Sequence, residues 1–133
     1  MRVFATPVIW NVRCMFDGVM ITDTFVLGWC REEDRLVFEV VASLWPGHPA
    51  YESPRPGEWT CYKKARLVFC EVCAVNGLPD PSAVAPTTDA DGSQDFGSLS
   101  ELAIEPGGYR IAGDFGMVHV QAGSVRLEIV NQG

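Results

Sequence analysis

The sequence predicts an all-β domain, a mostly antiparallel β-sandwich or barrel of seven to eight strands with two long loops. Three observations predict it: apolar residues recur with a period of two along most of the chain, turn residues fall at short intervals between those runs, and no stretch of ten or more residues carries a helical stripe. A chain of 133 residues with 47% hydrophobic and 20% charged side chains fits a single domain, 1–133, with enough apolar material to bury a core.

Taken in order, Val8, Trp10, Val12, Cys14 and Phe16 alternate with Ile9, Asn11, Arg13, Met15 and Asp17, the pattern of a strand with one face on a core. Asp17-Gly18 then predicts a hairpin, because this pair tolerates the positive φ that tight β-turns require. A second strand is expected from Val19 to about Cys30, and the polar break Arg31-Glu32-Glu33-Asp34 ends it. From Arg35 to Trp45 the alternation resumes with Leu36, Phe38, Val40, Ala42 and Leu44 on one face, which completes a three-stranded meander. Pro46, Pro49, Pro54 and Pro56 make the stretch to Gly57 unfit for a ladder, so the first long loop is placed there. Trp59 to Val75 reads as one long strand or a bent one, and Asn76 to Ser98, rich in Pro, Asp, Gly, Ser and Thr, as the second long loop. The last third predicts strands over Leu99 to Glu105, Tyr109 to Gly113, Gly116 to Gln121 and Ser124 to Val130, divided by Pro106-Gly107-Gly108 and Ala122-Gly123.

Seventeen acids against ten Lys and Arg give a net charge of −7, a balance that repels nucleic acid and anionic lipid surfaces. From Asp80 to Asp114, seven acids face one base, Arg110, so this segment carries −6 of the −7. It reads either as a loop kept solvated by its charge or as a contact site for a cation or a basic partner. The apolar runs are far shorter than the roughly 20 residues a membrane helix needs. The opening Met1 to Pro7 has one charge and no extended apolar segment. A cytoplasmic protein, without a secretory signal and without nucleic-acid or membrane partners, is the expectation.

Five cysteines, Cys14, Cys30, Cys61, Cys70 and Cys73, lie within apolar or alternating stretches and read as reduced thiols. Cys70 and Cys73 form a C-x-x-C, yet in a continuous strand residues three apart point to opposite faces and cannot share a metal. Asp89, Asp91 and Asp95, spaced around Gly92, could converge on calcium; no other cofactor is expected. Against an EF-hand loop, Thr87 and Ser98 stand where carboxylates belong, which leaves an acidic Asp-Gly turn as the plainer reading. Asp95-Phe96-Gly97 and Asp114-Phe115-Gly116 spell a kinase motif in a chain too short for a kinase, and read as turns with a buried aromatic. Cys61 beside Lys63 and Lys64 reads as an edge-strand cysteine or, less simply, as an activated thiol. His119, out of phase with Val118 and Val120, is expected on a solvated face or in a ligand cavity. No nucleophile motif stands out.

Trp45, Tyr51, Trp59 and Tyr62 bracket the proline-rich loop and serve either as core or as anchors at a pocket or interface. In Gly57-Glu58-Trp59-Thr60-Cys61-Tyr62, the Leu67-Val68-Phe69 strand, the stretch from Asp89 to Gly97, and Gly113-Asp114-Phe115-Gly116 with Arg126-Leu127-Glu128, the layout resembles small bacterial all-β families, some grouped with immunity proteins of toxin systems. The resemblance covers about the last two-thirds of the chain; it implies a bacterial cytoplasmic domain in which partner binding is favoured over catalysis, and carries over no functional residue. The expected function is a non-enzymatic protein-binding module that meets a basic partner through Asp89, Asp91, Asp95, Trp45, Trp59 and Tyr62. The alternatives are a small-ligand barrel or enzyme with Trp45, Trp59, Tyr62 and His119 about a pocket, and a homo-oligomer formed through a strand edge.

Overall fold

A computed structural model describes residues 18–130 apart from 89 and 91. The strand expected over Val8 to Phe16, its hairpin with Val19, and Asp89 and Asp91 of the calcium candidate lie outside the described residues, as does Cys14. The described chain is all-β, with ten strands: β1 (Val19–Glu32), β2 (Arg35–Leu44), β3 (Cys61–Cys70), β4 (Ala74–Asn76), β5 (Thr87–Thr88), β6 (Gln94–Asp95), β7 (Leu99–Glu105), β8 (Gly108–Gly113), β9 (Gly116–Gln121) and β10 (Ser124–Ile129). A short 3-10 turn over Pro81–Ala83 is the only helical element among the described residues, and no helix there is long and apolar enough to cross a membrane. The count exceeds seven to eight because Trp59 to Val75 bends into two strands and the loop from Asn76 to Ser98 contains the two-residue pair β5–β6.

The two main sheets run β1-β2-β3-β10 and β4-β9-β8-β7, antiparallel throughout. They share one core because the period of two turns Leu36, Phe38, Val40, Ala42 and Leu44 of β2 inward, to meet Ile111 of β8 and Val118 and Val120 of β9. Aromatic rings bridge the sheets. Trp29 lies 5.3 Å from Phe115 and 4.9 Å from Phe96 between ring centroids, Phe38 lies 5.7 Å from Phe115, and Phe69 lies 5.7 Å from Tyr109. The indole N–H of Trp29 donates to the Pro79 carbonyl at 2.8 Å, so the buried ring leaves no polar atom orphaned.

Both seams of the sandwich are backbone. Along one, the β3–β10 ladder ends at Cys70 opposite Ser124 and continues round a corner as β4–β9, with Gly123 N–H donating to Cys70 and Cys73 N–H to Gln121. Glu71, at φ +57°, turns the chain there. This corner also corrects the reading of Cys70 and Cys73, which do not share a continuous strand. Along the other seam, Val26 exchanges backbone bonds with Gly97 and Phe96. At Gly108 the neighbouring strand comes so close that a Cβ would strike the Val120 carbonyl, so only glycine fits at that position.

One irregularity positions the site described below. Between Met20 opposite Ser43 and Phe25 opposite Val41, β1 advances five residues while β2 advances two. The surplus forms a bulge over Ile21 to Thr24, and the buried Thr24 hydroxyl closes it by donating to the Met20 carbonyl at 2.8 Å.

Candidate binding site

Because Leu44 and Cys61 face the core, their neighbours Ser43 and Tyr62, also paired, lie on the opposite face of the sheet, where Ser43 is buried and Tyr62 half-buried. The β1 bulge swings Asp23 out of the normal ladder, and its Oδ2 reaches the Tyr62 hydroxyl across β2 at 2.8 Å. That hydroxyl also receives the indole N–H of Trp59 at 2.8 Å. Trp59 donates to Tyr62 and Tyr62 donates to Asp23, a directed chain that ends on a carboxylate. Burial, then the bond to Asp23 and its charge, push the Tyr62 phenol up to about 12, against the lowering effect of Trp59. The Phe25 ring lies 6.2 Å from that of Tyr62 and backs it.

The edge of the Trp59 indole is thereby tied down while its face is open: the residue is 64% exposed. Trp45, one residue beyond β2, is 46% exposed, and its backbone N–H donates to Gly18 at 2.8 Å. The proline-rich loop between them is held by its own bonds. His48 N–H donates to Trp45, Tyr51 N–H to His48, and Glu52 N–H to the Cys61 sulfur at 3.5 Å. The Thr60 hydroxyl returns to the Leu44 carbonyl at 3.0 Å, which pins the loop's end to β2.

Beside Tyr62 the loop and the strand ends enclose a cleft of about 780 Å³, lined among others by Glu52, Arg55, Glu58, Tyr62, Lys63 and Lys64. Lys63 pairs with Glu52 at 3.0 Å, and Glu58 accepts from the Arg55 backbone N–H at 3.2 Å. Among the described residues, the Arg55 guanidinium and the Lys64 ammonium have no ion pair.

The six expected contact residues separate. Tyr62 and Trp59 come together, and Trp45 stands at the end of the same strand pair. Asp95 is elsewhere, in β6, where its Oδ1 accepts from Gly97 N–H at 2.7 Å and shapes the turn onto β1. Much of the acidic segment has similar local work. Asp80 caps the 3-10 turn through Ser82, whose bonds hold its carboxyl below the ordinary value, and Glu101 and Glu105 pair with Arg110. His119 lies on the outer face of the other sheet, where its Nδ1 is 2.8 Å from Glu105 Oε2, so it takes no part in a pocket with Trp45, Trp59 and Tyr62. Cys61 is buried at the start of β3, where it pairs with Leu44 of β2 and lies before the β10 ladder, which begins at Ala65. Among the described residues no three His, Cys, Asp or Glu side chains gather as a metal site needs.

Asp23, Glu52, Arg55 and Glu58 escaped the sequence reading. The run Thr22-Asp23-Thr24, which breaks the alternation of the second strand, was the available signal for Asp23. Compared with known protein families, curated proteins and solved structures, the chain matches none of them. What fold and site define is a class: an all-β domain that shows solvent a fixed aromatic platform beside a charged cleft.

Proposed function

We propose that the chain is a non-enzymatic protein-binding module whose contact surface is the Trp59–Tyr62 platform with Trp45 at its border. One observation carries this reading: an indole 64% exposed is nonetheless held at its edge by Tyr62 and, through it, by Asp23. Ordering a large side chain at an interface costs on the order of 1 kcal/mol, and here folding has already met that cost. Trp and Tyr are also the residues that most often dominate binding energy when a partner covers them. The net charge of −7 favours a partner with a basic overall surface, since the summed field steers encounter even where the acids make no contact.

The test is a pull-down from lysate with three baits: the native chain, Trp59→Ala, and Met117→Ala as a control on the other sheet. A partner retained by the native chain and by Met117→Ala, and weakened at least about tenfold on Trp59→Ala, is the expected result. Equal retention by all three baits defeats the reading. The cleft favours a second reading, a small ligand, which predicts an empty pull-down and a melting temperature raised by a compound that Lys64→Ala no longer binds.

A further inference from the structure

Among the described residues three cations are ion-paired, while Arg31, Arg35, Arg55, Lys64 and Arg66 are not. Lys63 meets Glu52, Arg110 meets Glu101 and Glu105, and Arg126 meets Glu128. Arg66 stands in register between Glu39 on β2 and Glu128 on β10. Lys64 differs: the residue opposite it on β2 is Val41, and on its other side its backbone carbonyl takes the N–H of Val130, so no acid lies across from it on either side. Arg55 differs too, because the Glu58 carboxylate is bonded to its backbone N–H and leaves the guanidinium free. Arg55 and Lys64 both line the cleft that borders Tyr62.

We propose that this cleft receives the side-chain carboxylate of an Asp or Glu in an extended segment of the protein partner, held between Arg55 and Lys64 while the neighbouring residue of that segment lies on the face of Trp59. The inference rests on the reading of Trp59 as a partner surface. A guanidinium and an ammonium with no ion pair among the described residues are groups from which a carboxylate draws charge-assisted hydrogen bonds. The apolar walls given by Val41, Ala50, Ile129 and Val130 strengthen such a contact by excluding water. Glu52 and Glu58 at the same cleft, and the net charge of −7, set the limit on charge: one carboxylate is accommodated, whereas a phosphate or a run of acids meets repulsion. The Trp59 N–H is already spent on Tyr62, so the indole offers an apolar face to an aliphatic side chain or a proline ring.

The experiment uses an array of capped octapeptides with Glu at the centre, each with a twin carrying Gln there and a twin carrying Gln with an uncapped C-terminus. It is read with the native chain, Trp59→Ala, and the double variant Arg55→Gln with Lys64→Gln. Both substituted cations are exposed, so the double variant keeps its fold, and an unchanged melting temperature checks that. The expected result is that Glu members bind about tenfold better than their Gln twins and that the double variant loses this preference. Added salt weakens the preference as well. Equal binding of Gln twins, no Glu member bound, or a preference that survives in the double variant overturns the inference; binding confined to uncapped peptides overturns it in favour of a chain end. The two readings fail separately on the captured partner. If Trp59→Ala loses it and the double variant holds it, the platform reading stands and the carboxylate site falls; if Trp59→Ala holds it, both fall.

Discussion

Two outward surfaces of this molecule carry chains of polar contacts, and they differ in what each chain leaves over. On the β4-β9-β8-β7 sheet, Arg110 grips Glu101 through two bonds of 2.9 Å and Glu105 through one of 3.2 Å, and His119 meets the other oxygen of Glu105. The guanidinium holds the Glu101 carboxyl below its ordinary value, and Arg110 is raised in turn. That network is closed: a ligand there has to displace a partner of equal quality. At the end of the β2–β3 pair, the chain Asp23–Tyr62–Trp59 terminates in an open indole face, and two cations beside it have no partner among the described residues. Polar groups mark a binding surface when their bonds leave something unmet, and a dense ion-pair cluster by itself marks only a solvated face.

Both surfaces hang on one core, so the first way to break the comparison is to remove what they share. Trp29 is buried, touches Phe38, Phe96 and Phe115, and belongs to the strand that joins the sheets. Trp29→Ala should cost about 3–5 kcal/mol in urea denaturation, the range for a large aromatic removed from a packed core. Transitions followed by far-UV circular dichroism and by tryptophan fluorescence should coincide. If they separate, the two surfaces belong to separately folding units and cannot be compared as parts of one.

Tyr62→Phe sharpens the open side. Loss of the hydroxyl costs about 1 kcal/mol, the usual net value of a hydrogen-bonded group, and unties the Trp59 edge, which fluorescence anisotropy should register as faster indole motion. The pH dependence follows in sign. Unfolded, a tyrosine gives up its proton near pH 10, while Tyr62 in the folded chain keeps it to about 12. Between those values the folded state holds more protons, so this contribution to stability is complete below pH 10 and is lost as pH rises through about 12. The alkaline fall in melting temperature should therefore be shallower in Tyr62→Phe than in the native chain. An identical alkaline limb in the two proteins means that the folded chain holds the Tyr62 proton no more tightly than the unfolded one.

The closed surface was more legible than the open one, for physical reasons. Strands expected over Leu99 to Glu105, Tyr109 to Gly113 and Gly116 to Gln121 match β7, β8 and β9 within one residue, because period-two alternation between glycine turns is a local property. The turn at Gly113-Asp114-Phe115-Gly116 joins β8 to β9 and buries Phe115, as its composition implies. The polar break at Arg31-Glu32 misleads, since a hairpin end that projects into water needs no apolar face and β1 runs to Glu32. The corner at Glu71 carries no glycine to announce it. Asp23 was missed because a bulge is a mismatch between two strands, and neither strand alone reports it. The cleft draws on residues from 41 to 130, a proximity that only the folded sheet order creates.

Glu101→Gln tests whether the closed network does anything beyond holding itself together. A carboxyl held below its ordinary value adds stability above that value and loses it as pH falls, so the native chain should lose more melting temperature between pH 7 and pH 3 than Glu101→Gln does. The effect should be small on an exposed face. The smallest expected change is the most telling for the comparison. Met117 lies on the same outer face and, at 50% exposed, is the nearest that sheet comes to an apolar contact. Its thioether is not part of the core, so Met117→Ala should shift stability by no more than about 0.5 kcal/mol and leave partner capture unchanged. Exposed apolar area exists on both faces, and what distinguishes Trp59 is that its edge is fixed by Tyr62 while Met117 is free to rotate among rotamers. Should Met117→Ala weaken capture as much as Trp59→Ala, exposure alone governs binding and the fixed edge of Trp59 confers no advantage.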